Sequence, residues 1–319
     1  MSILSMSHTD LDGIGCQIIL RQTFGEITRM NLSYNKVDEY LEILEDYCIH
    51  NRPQKVFITD LSFNEQQMNT LTNITRTYND ILFYFIDHHP AQCNYENLSS
   101  ANFVILVTDK ACATKLVYLY CKANFGLVNE DLGVFVEYVN AYDIWLTDKP
   151  EFKVGLVYND IFWEYRIKHF WNRFKDDFKL RNSDKEKFKE LMIKKRKVFG
   201  KLENSGRMFK LQDQKIFMIF LDDFKNHITL DYPDYNIYVM VSSYGGFSVR
   251  LRNDFAKGYP FKDNVVNSLL SLQNIGNAGG HHAAFGGNLI DSSAHKQVEF
   301  AKQILTIIDA EQDLLLSKT

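Results

Sequence analysis

The sequence predicts an α/β protein with an N-terminal parallel-sheet domain, a helical connector and a smaller C-terminal α/β domain. Three observations carry the prediction. Strand-like and helix-like runs alternate over the first 125 or so residues, which implies right-handed β-α-β crossovers and a parallel sheet. From Arg166 to Lys210 the chain turns basic, with 16 Lys and Arg against 6 Asp and Glu, in the manner of a charged helical connector. From about residue 211 apolar strand-like runs return, punctuated by glycine. The boundaries drawn on this basis are 1–155, 156–210 and 211–319.

The alternation begins with "SILSMS", a short buried strand, followed by "GIGCQIILRQTFG", a helix that sets Ile14, Ile18 and Ile19 on one face. "KVFITDLSF" reads as the second strand, "EQQMNTLTNITRTY" as a helix, "ILFYFID" as the third strand and "NFVILVTD" as the fourth. "ACATKLVYLYCKANFG" is a helix closed by Gly126. In the last third, "KIFMIFLDD" and "YNIYVMVSSYGGFSVRLRND" are strand-like runs broken at Gly245 and Gly246. A helix near "NVVNSLLSLQ" and a glycine-rich loop, "GNAGGHHAAFGG", come next.

Composition narrows the class. A chain of 319 residues with 45% hydrophobic and 24% charged residues has room for about two soluble domains and is not a disordered chain. The segment "MSILSMSHTDLDG" reaches Asp10 and Asp12 before a signal-peptide apolar region can develop, and no later run approaches the roughly 18 apolar residues of a membrane span. The expectation is a cytoplasmic protein with no membrane partner. Cys16, Cys48, Cys93, Cys112 and Cys121 are scattered and form no CxxC pair, which argues against a disulfide framework or a zinc ribbon and fits reduced thiols. The net charge of −4 conceals the basic segment, whose 16 − 6 gives +10 and leaves the remainder near −14. That segment is either a solvated helix or a surface that draws in a polyanion.

Functional residues of a parallel sheet gather at the carboxyl ends of its strands. His8, Asp10 and Asp12 follow the first strand, Asp60 ends the second, and Asp87, His88 and His89 end the third. Asp143, in "EYVNAYDIW", ends a helix or the loop after it. So many like charges delivered to one edge are costly without cations among them. Oxygen and imidazole donors without thiolate suit manganese, with magnesium admissible, better than structural zinc. A central Asp such as Asp60 can bridge two ions, and two ions about 3.5–4 Å apart suit the hydrolysis of a phosphoester.

Each motif alone has a plainer reading. "HTDLDG" can be a polar turn with a helix cap or a calcium-loop fragment, Asp60 any loop acid, and the Asp-His-His triplet a surface turn before Pro90. Their joint placement at strand ends is what favours an active site. A glycine-rich loop is by itself more often a turn than a ligand cradle, although it leaves backbone amides accessible to a phosphate or base. The aromatic residues Phe162, Trp163, Tyr165 and Trp171 fit helix packing better than base stacking.

"SHTDLDGIG", "FITDLSF", "FIDHHP" and "NAYDIW" resemble, in order and spacing, the four successive motifs of the DHH phosphoesterase superfamily. "GNAGGHHAAFGG" resembles the GGHxxAxG element of the DHH-associated C-terminal domain, with Gly279, Gly280, His281, Ala284 and Gly286 at the matching positions. The resemblance spans nearly the whole chain, and "SHTDLDGIGCQII" is most similar to the nano-RNase B, or oligoribonuclease, branch. It implies a catalytic DHH domain at 1–155 and a substrate-binding domain at 211–319. It also implies that His8 and Asp10 hold one manganese with Asp60, while Asp12, His88 and Asp143 hold the other with Asp60 bridging. His89 then faces the scissile phosphate, Asp87 orients the imidazoles, and no protein nucleophile is needed. In the second domain the glycine-rich loop with His281, together with Arg250 or Arg252 of "RLRN", binds the far end of the substrate; alternation places both arginines on one face of their strand.

The implied activity is a manganese-dependent exonuclease that hydrolyses short RNA to nucleoside monophosphates, with a homodimer admitted. The alternatives are a phosphoesterase acting on cyclic nucleotides, linear dinucleotides or adenosine bisphosphate, a RecJ-type exonuclease on single-stranded DNA, and a nucleotide sensor without turnover.

Overall fold

A computed structural model describes residues 2–33, 36–146, 148–205, 207–211, 214–221, 236–251, 258–281 and 284–317. The chain divides into two compact units, Met1–Leu191 and Met192–Thr319.

The first unit is built on five parallel strands: β1 (Ile3–His8), β2 (Thr28–Leu32), β3 (Lys55–Thr59), β4 (Leu82–Asp87) and β5 (Phe103–Val107), in the order β2-β1-β3-β4-β5. The crossovers carry α1 (Leu11–Phe24), α2 (Val37–Asn51), α3 (Glu65–Thr77) and a 3-10 segment, Pro90–Leu98. Four helices follow, α4 (Ala113–Phe125), α5 (Glu130–Asp143), α6 (Pro150–Phe174) and α7 (Asn182–Ser205), the last running across the division between the units.

Strand alternation gives the sheet two apolar faces. Phe57, Tyr84 and Ile86 pack with residues of α1, α4, α5 and α6 on one side; Leu4, Met6, Val56, Ile58, Phe83 and Phe85 pack with α2 and α3 on the other. Phe57 and Tyr84 are register partners on adjacent strands, and their rings stack at 4.4 Å. Each such side chain, fully buried, stabilises the fold by about 1.5–3 kcal/mol. The strand ends are thereby fixed, and with them every residue that follows a strand.

The expected strand count changes here. A strand and a helix, β2 and α2, stand between the runs read as the first and second strands, so "KVFITDLSF" supplies the third strand and "ILFYFID" the fourth. β2, "TRMNL", is an edge strand buried fully only at Leu32, so it carries no apolar run. Phe162 and Trp171 lie in the core of the first unit, Arg29 sits 3.6 Å from the centre of the Trp171 ring, and the Tyr165 hydroxyl donates to Asp184 at 3.0 Å. The basic segment also has acidic partners: Arg173 pairs with the buried Asp184 at 2.5 Å, Lys179 with Asp131 of α5 at 2.7 Å, and Lys187 with Glu164 at 3.0 Å. The first and third pairs join α6 to α7, and the second ties their turn to α5.

The second unit has a six-stranded sheet, order β10-β11-β9-β8-β7-β6, formed by β6 (Arg207–Leu211), β7 (Gln214–Leu221), β8 (Ile237–Ser242), β9 (Gly246–Leu251), β10 (Ile275–His281) and β11 (Ala284–Leu289). All pairings are antiparallel except β7 with β8. Helices α8 (Phe261–Leu270) and α9 (Ala294–Leu316) complete it, with Phe300 of α9 against Phe247 of β9 at 4.7 Å. The glycine-rich stretch is not a loop but a hairpin, with Gly279 registered on Gly286 and Gly280 on Phe285. The reason is close approach: a Cβ at Gly286 would lie 2.3 Å from the Phe247 carbonyl oxygen, and Gly280 holds φ at 139°. Among the described residues no helix is long and apolar enough to cross a membrane.

Candidate metal centre

The residues that follow β1, β3 and β4 converge with the end of α5. Asp10 is the N-cap of α1 and accepts from the Gly13 amide at 2.9 Å, and Asp12 lies in the same first turn, where the helix dipole favours negative charge. A second helix start grips Asp12. The amides of Ala113 and Thr114, at the head of α4, donate to its Oδ2 and Oδ1, both at 2.8 Å, and the Thr114 hydroxyl donates to its carbonyl at 2.7 Å. Asp60 follows β3 directly with φ of 55°, its amide still bonded to the Ile86 carbonyl at 3.1 Å. Asp143 is the last residue of α5, the end of a helix where a carboxylate is disfavoured.

Two groupings emerge. The His8 Nδ1 is 2.9 Å from Asp10 Oδ2 and 3.9 Å from Asp60 Oδ2. The buried His88 places Nε2 at 3.6 Å from Asp12 Oδ2, 3.5 Å from Asp60 Oδ1 and 3.5 Å from Asp143 Oδ2. Asp60 belongs to both sets. His89 has a different nearest partner: its Nδ1 is 2.9 Å from Oδ1 of the fully buried Asp87, which fixes the ring. All eight residues expected at the strand ends and at Asp143 therefore meet at one edge of the sheet.

The electrostatics point to missing positive charge. Burial, and then Asp10, Asp12 and Asp143, push the Asp60 carboxyl well above its ordinary pKa; burial, Asp12 and Asp10 do the same to Asp143. Burial opposes the charge on His8, but Asp10 outweighs it and raises its pKa, while His8 and the Gly13 amide hold Asp10 low against its own burial. Asp60 Oδ2 and Asp143 Oδ2 are buried and have no hydrogen-bond donor among the described residues. Buried acceptors left without donors, crowded by like charges and flanked by imidazoles, fit divalent cations. Candidate ligand atoms lie within 4.8 Å of one another in three groups: His8, Asp10 and Asp60; Asp60, Asp87, His88 and His89; and Asp12, Cys112 and Asp143.

Several contributors escaped the sequence reading. Cys112, buried beside Asp12 and Asp143, brings a thiol to the second grouping. Asn140 accepts the Cys112 amide at 2.9 Å and so ties α5 to the head of α4. Gln92 exchanges two 3.0 Å hydrogen bonds with the backbone of Phe63, clamping the segment after β3 to the one after β4. The signal was the run "ACAT", which follows a strand and opens a helix at the same sheet edge.

The other expected site residues lie in the second unit. Arg250 is in β9, registered with Ala284, and Gly286 is registered with both Ser248 and Gly279; Gly280 and His281 continue β10. Arg252 lies outside the described residues.

No family model matches the chain. It is 30% identical over 212 residues to "Oligoribonuclease NrnB" of Bacillus subtilis, covering 60% of this chain and 52% of that protein. It is 28% identical over 168 residues to a "3',5'-cyclic-nucleotide phosphodiesterase" of Helicobacter pylori, covering 49% and 47%. The matched part thus spans about half the length of each curated relative. The crystal structure of "exonuclease RecJ bound to manganese" shares the fold, with a TM-score of 0.54 at 11% identity, over 95% of this chain and 89% of that one. With the four motifs brought to one sheet edge and relatives of this kind, the chain is similar to the DHH superfamily of phosphoesterases.

Proposed function

We propose that the chain is a metal-dependent phosphodiesterase that degrades very short RNA from an end to nucleoside monophosphates. One observation carries this reading: His88 Nε2 is ringed at 3.5–3.6 Å by single oxygens of Asp12, Asp60 and Asp143, while Asp60 also faces the His8–Asp10 pair. Two cations fit that arrangement, one held by His8, Asp10 and Asp60, the other by Asp12, His88 and Asp143. Manganese suits a mixed carboxylate and imidazole set, and magnesium is the second choice. Such ions supply Lewis-acid charge to the reacting phosphate.

The chain's own residues do the rest. Asp87 holds His89 by Nδ1, and with the ring protonated on both nitrogens Nε2 would donate to a phosphoryl oxygen as charge builds there. The α4 helix start steadies Asp12. In the domain assignment that goes with this reading, 1–155 is catalytic, 156–210 connects, and 211–319 binds the far end of the substrate through Arg250, Arg252, Gly279, Gly280, His281 and Gly286. The name of the Helicobacter pylori relative favours cyclic nucleotides as the second reading.

The test is a manganese time course on labelled RNAs from dinucleotide upward, with cyclic nucleotides and long single-stranded DNA in parallel. Preferential release of monophosphates from the shortest RNAs is expected, and Asp60→Ala abolishes it. Turnover confined to cyclic nucleotides or long DNA, or persisting in Asp60→Ala at saturating manganese, overturns the reading.

A further inference from the structure

Two local rules are broken within three residues at the end of α5. The first is Asp143 itself, an acid at the negative end of a helix dipole, and the metal reading accounts for it. The second is Trp145. Its amide bonds to the Tyr142 carbonyl at 3.2 Å and the Leu146 amide to the Ala141 carbonyl at 2.7 Å, the paired bonds of a Schellman ending. In that motif the residue at Trp145 must be left-handed, and its φ is 61°. Glycine ordinarily stands there; a bulky side chain at positive φ is an outlier. Strain of this kind collects at functional sites.

The ring does not compensate by becoming core. Trp145 is only half-buried, with Phe152 edge-on at 5.0 Å and Tyr142 at 5.8 Å. Two residues of chain span at most about 7 Å, comparable with the distance from a phosphate across its ribose to the base.

We propose that Trp145 is a nucleobase platform, its indole stacking on the base of a nucleotide whose phosphate lies at the acidic centre. This rests on the phosphodiesterase reading and adds to it the part of the substrate that is recognised. The corner after α5 then serves two ends: Asp143 holds a cation, and Trp145 selects esters that carry a base.

The experiment measures KM for a diribonucleotide and for two analogues, each lacking one base, in the wild type, Trp145→Gly and Trp145→Phe, with melting curves alongside. Glycine suits the backbone at φ of 61°, so the ring is removed without adding strain. Trp145→Gly should raise KM for the diribonucleotide on the order of tenfold, and Trp145→Phe, which keeps a stacking face, should recover most of that loss. For one of the two analogues the loss from the missing base and the loss from the missing ring should fail to add, because both remove the same contact. Additive losses with both analogues, a KM in Trp145→Gly equal to wild type, or a phenylalanine variant as poor as the glycine one overturns the platform. A wild type that hydrolyses no diribonucleotide removes the phosphodiesterase reading and the platform with it, whereas turnover indifferent to Trp145 removes the platform alone.

Discussion

Gly13 sits between the first two motif carboxylates and the body of α1, and its replacement by alanine probes whether the site depends on how closely α1 approaches β1. A Cβ there would stand 2.3 Å from the His8 carbonyl oxygen, 2.8 Å from the carbonyl carbon and 2.9 Å from the His8 amide nitrogen. Ordinary contact begins near 3.4 Å, so α1 and the end of β1 must separate by about 3.4 − 2.3 = 1.1 Å. Backbone is what has to move, and His8, Asp10 and Asp12 all ride on it. Overpacking of this kind costs about 1–3 kcal/mol, and each kcal/mol lowers Tm by about 2–4 °C in a unit of this size. A displacement of about 1 Å at a positioned reacting group lowers turnover by roughly 10²-fold. The assay pairs melting with and without manganese against initial rates on a dinucleotide. Gly126→Ala is the control, since Gly126 has φ of 70° and open space around it, so alanine there costs about 1–2 kcal/mol without pressing on the site. Gly13→Ala should lose both turnover and the manganese-induced rise in Tm, and Gly126→Ala should lose only stability. Retention of the manganese effect and of wild-type rates in Gly13→Ala would refute the reasoning.

Other outcomes follow from the same geometry. In the metal-free chain the raised carboxyls of Asp60 and Asp143, and the raised imidazole of His8, bind protons more readily when folded than when unfolded. Stability without metal should therefore fall as pH rises above the ordinary carboxylate value near 3.8, and melting in a chelator between about pH 5 and about pH 8 tests it. Manganese should flatten or reverse that slope, because it displaces the same protons; a slope unchanged by manganese contradicts the shared site. His89→Ala should lower kcat by about 10²-fold or more with metal content intact, and loss of an ion on dialysis would make His89 a ligand instead. Asp184→Ala removes the buried partner of Arg173, 12% exposed, which keeps Asp177 and the Asp177 and Lys179 carbonyls, and should cost about 1.5–3 kcal/mol by urea unfolding; a loss under about 1 kcal/mol would mean the pair contributes little.

The legible part of this protein was the part where burial and periodicity agree. β1, β3, β4 and β5 are short apolar runs because both faces of the sheet are covered, and the residues after the first three of them could be placed at one edge from the strand rule alone. β2 was illegible because an edge strand with Thr28, Arg29 and Asn31 half or fully exposed has no apolar pattern to read. The glycine hairpin looks like a loop in sequence because its residues have no strand propensity; pairing with β9 overrides composition there. Helix α9 did carry a signal, in Phe300, Ile304 and Ile308 at helical spacing, all buried. At the site, side chains were legible and backbone donors were not: the amides of Ala113 and Thr114 that hold Asp12 have no residue identity to betray them.

That grip on Asp12 has a consequence for how the protein comes into being. The carboxylate and the amides that fix it are 101 and 102 positions apart, and Asp143 comes later still. A nascent chain that has emerged only through "DHH" already displays most of the acidic residues but cannot yet hold Asp12 in place. On the two-cation reading, ion capture would come late in biogenesis, after α4 has docked, because the Asp12 carboxylate is not held before then. Uptake of metal during synthesis should lag behind the appearance of the motifs that bind it.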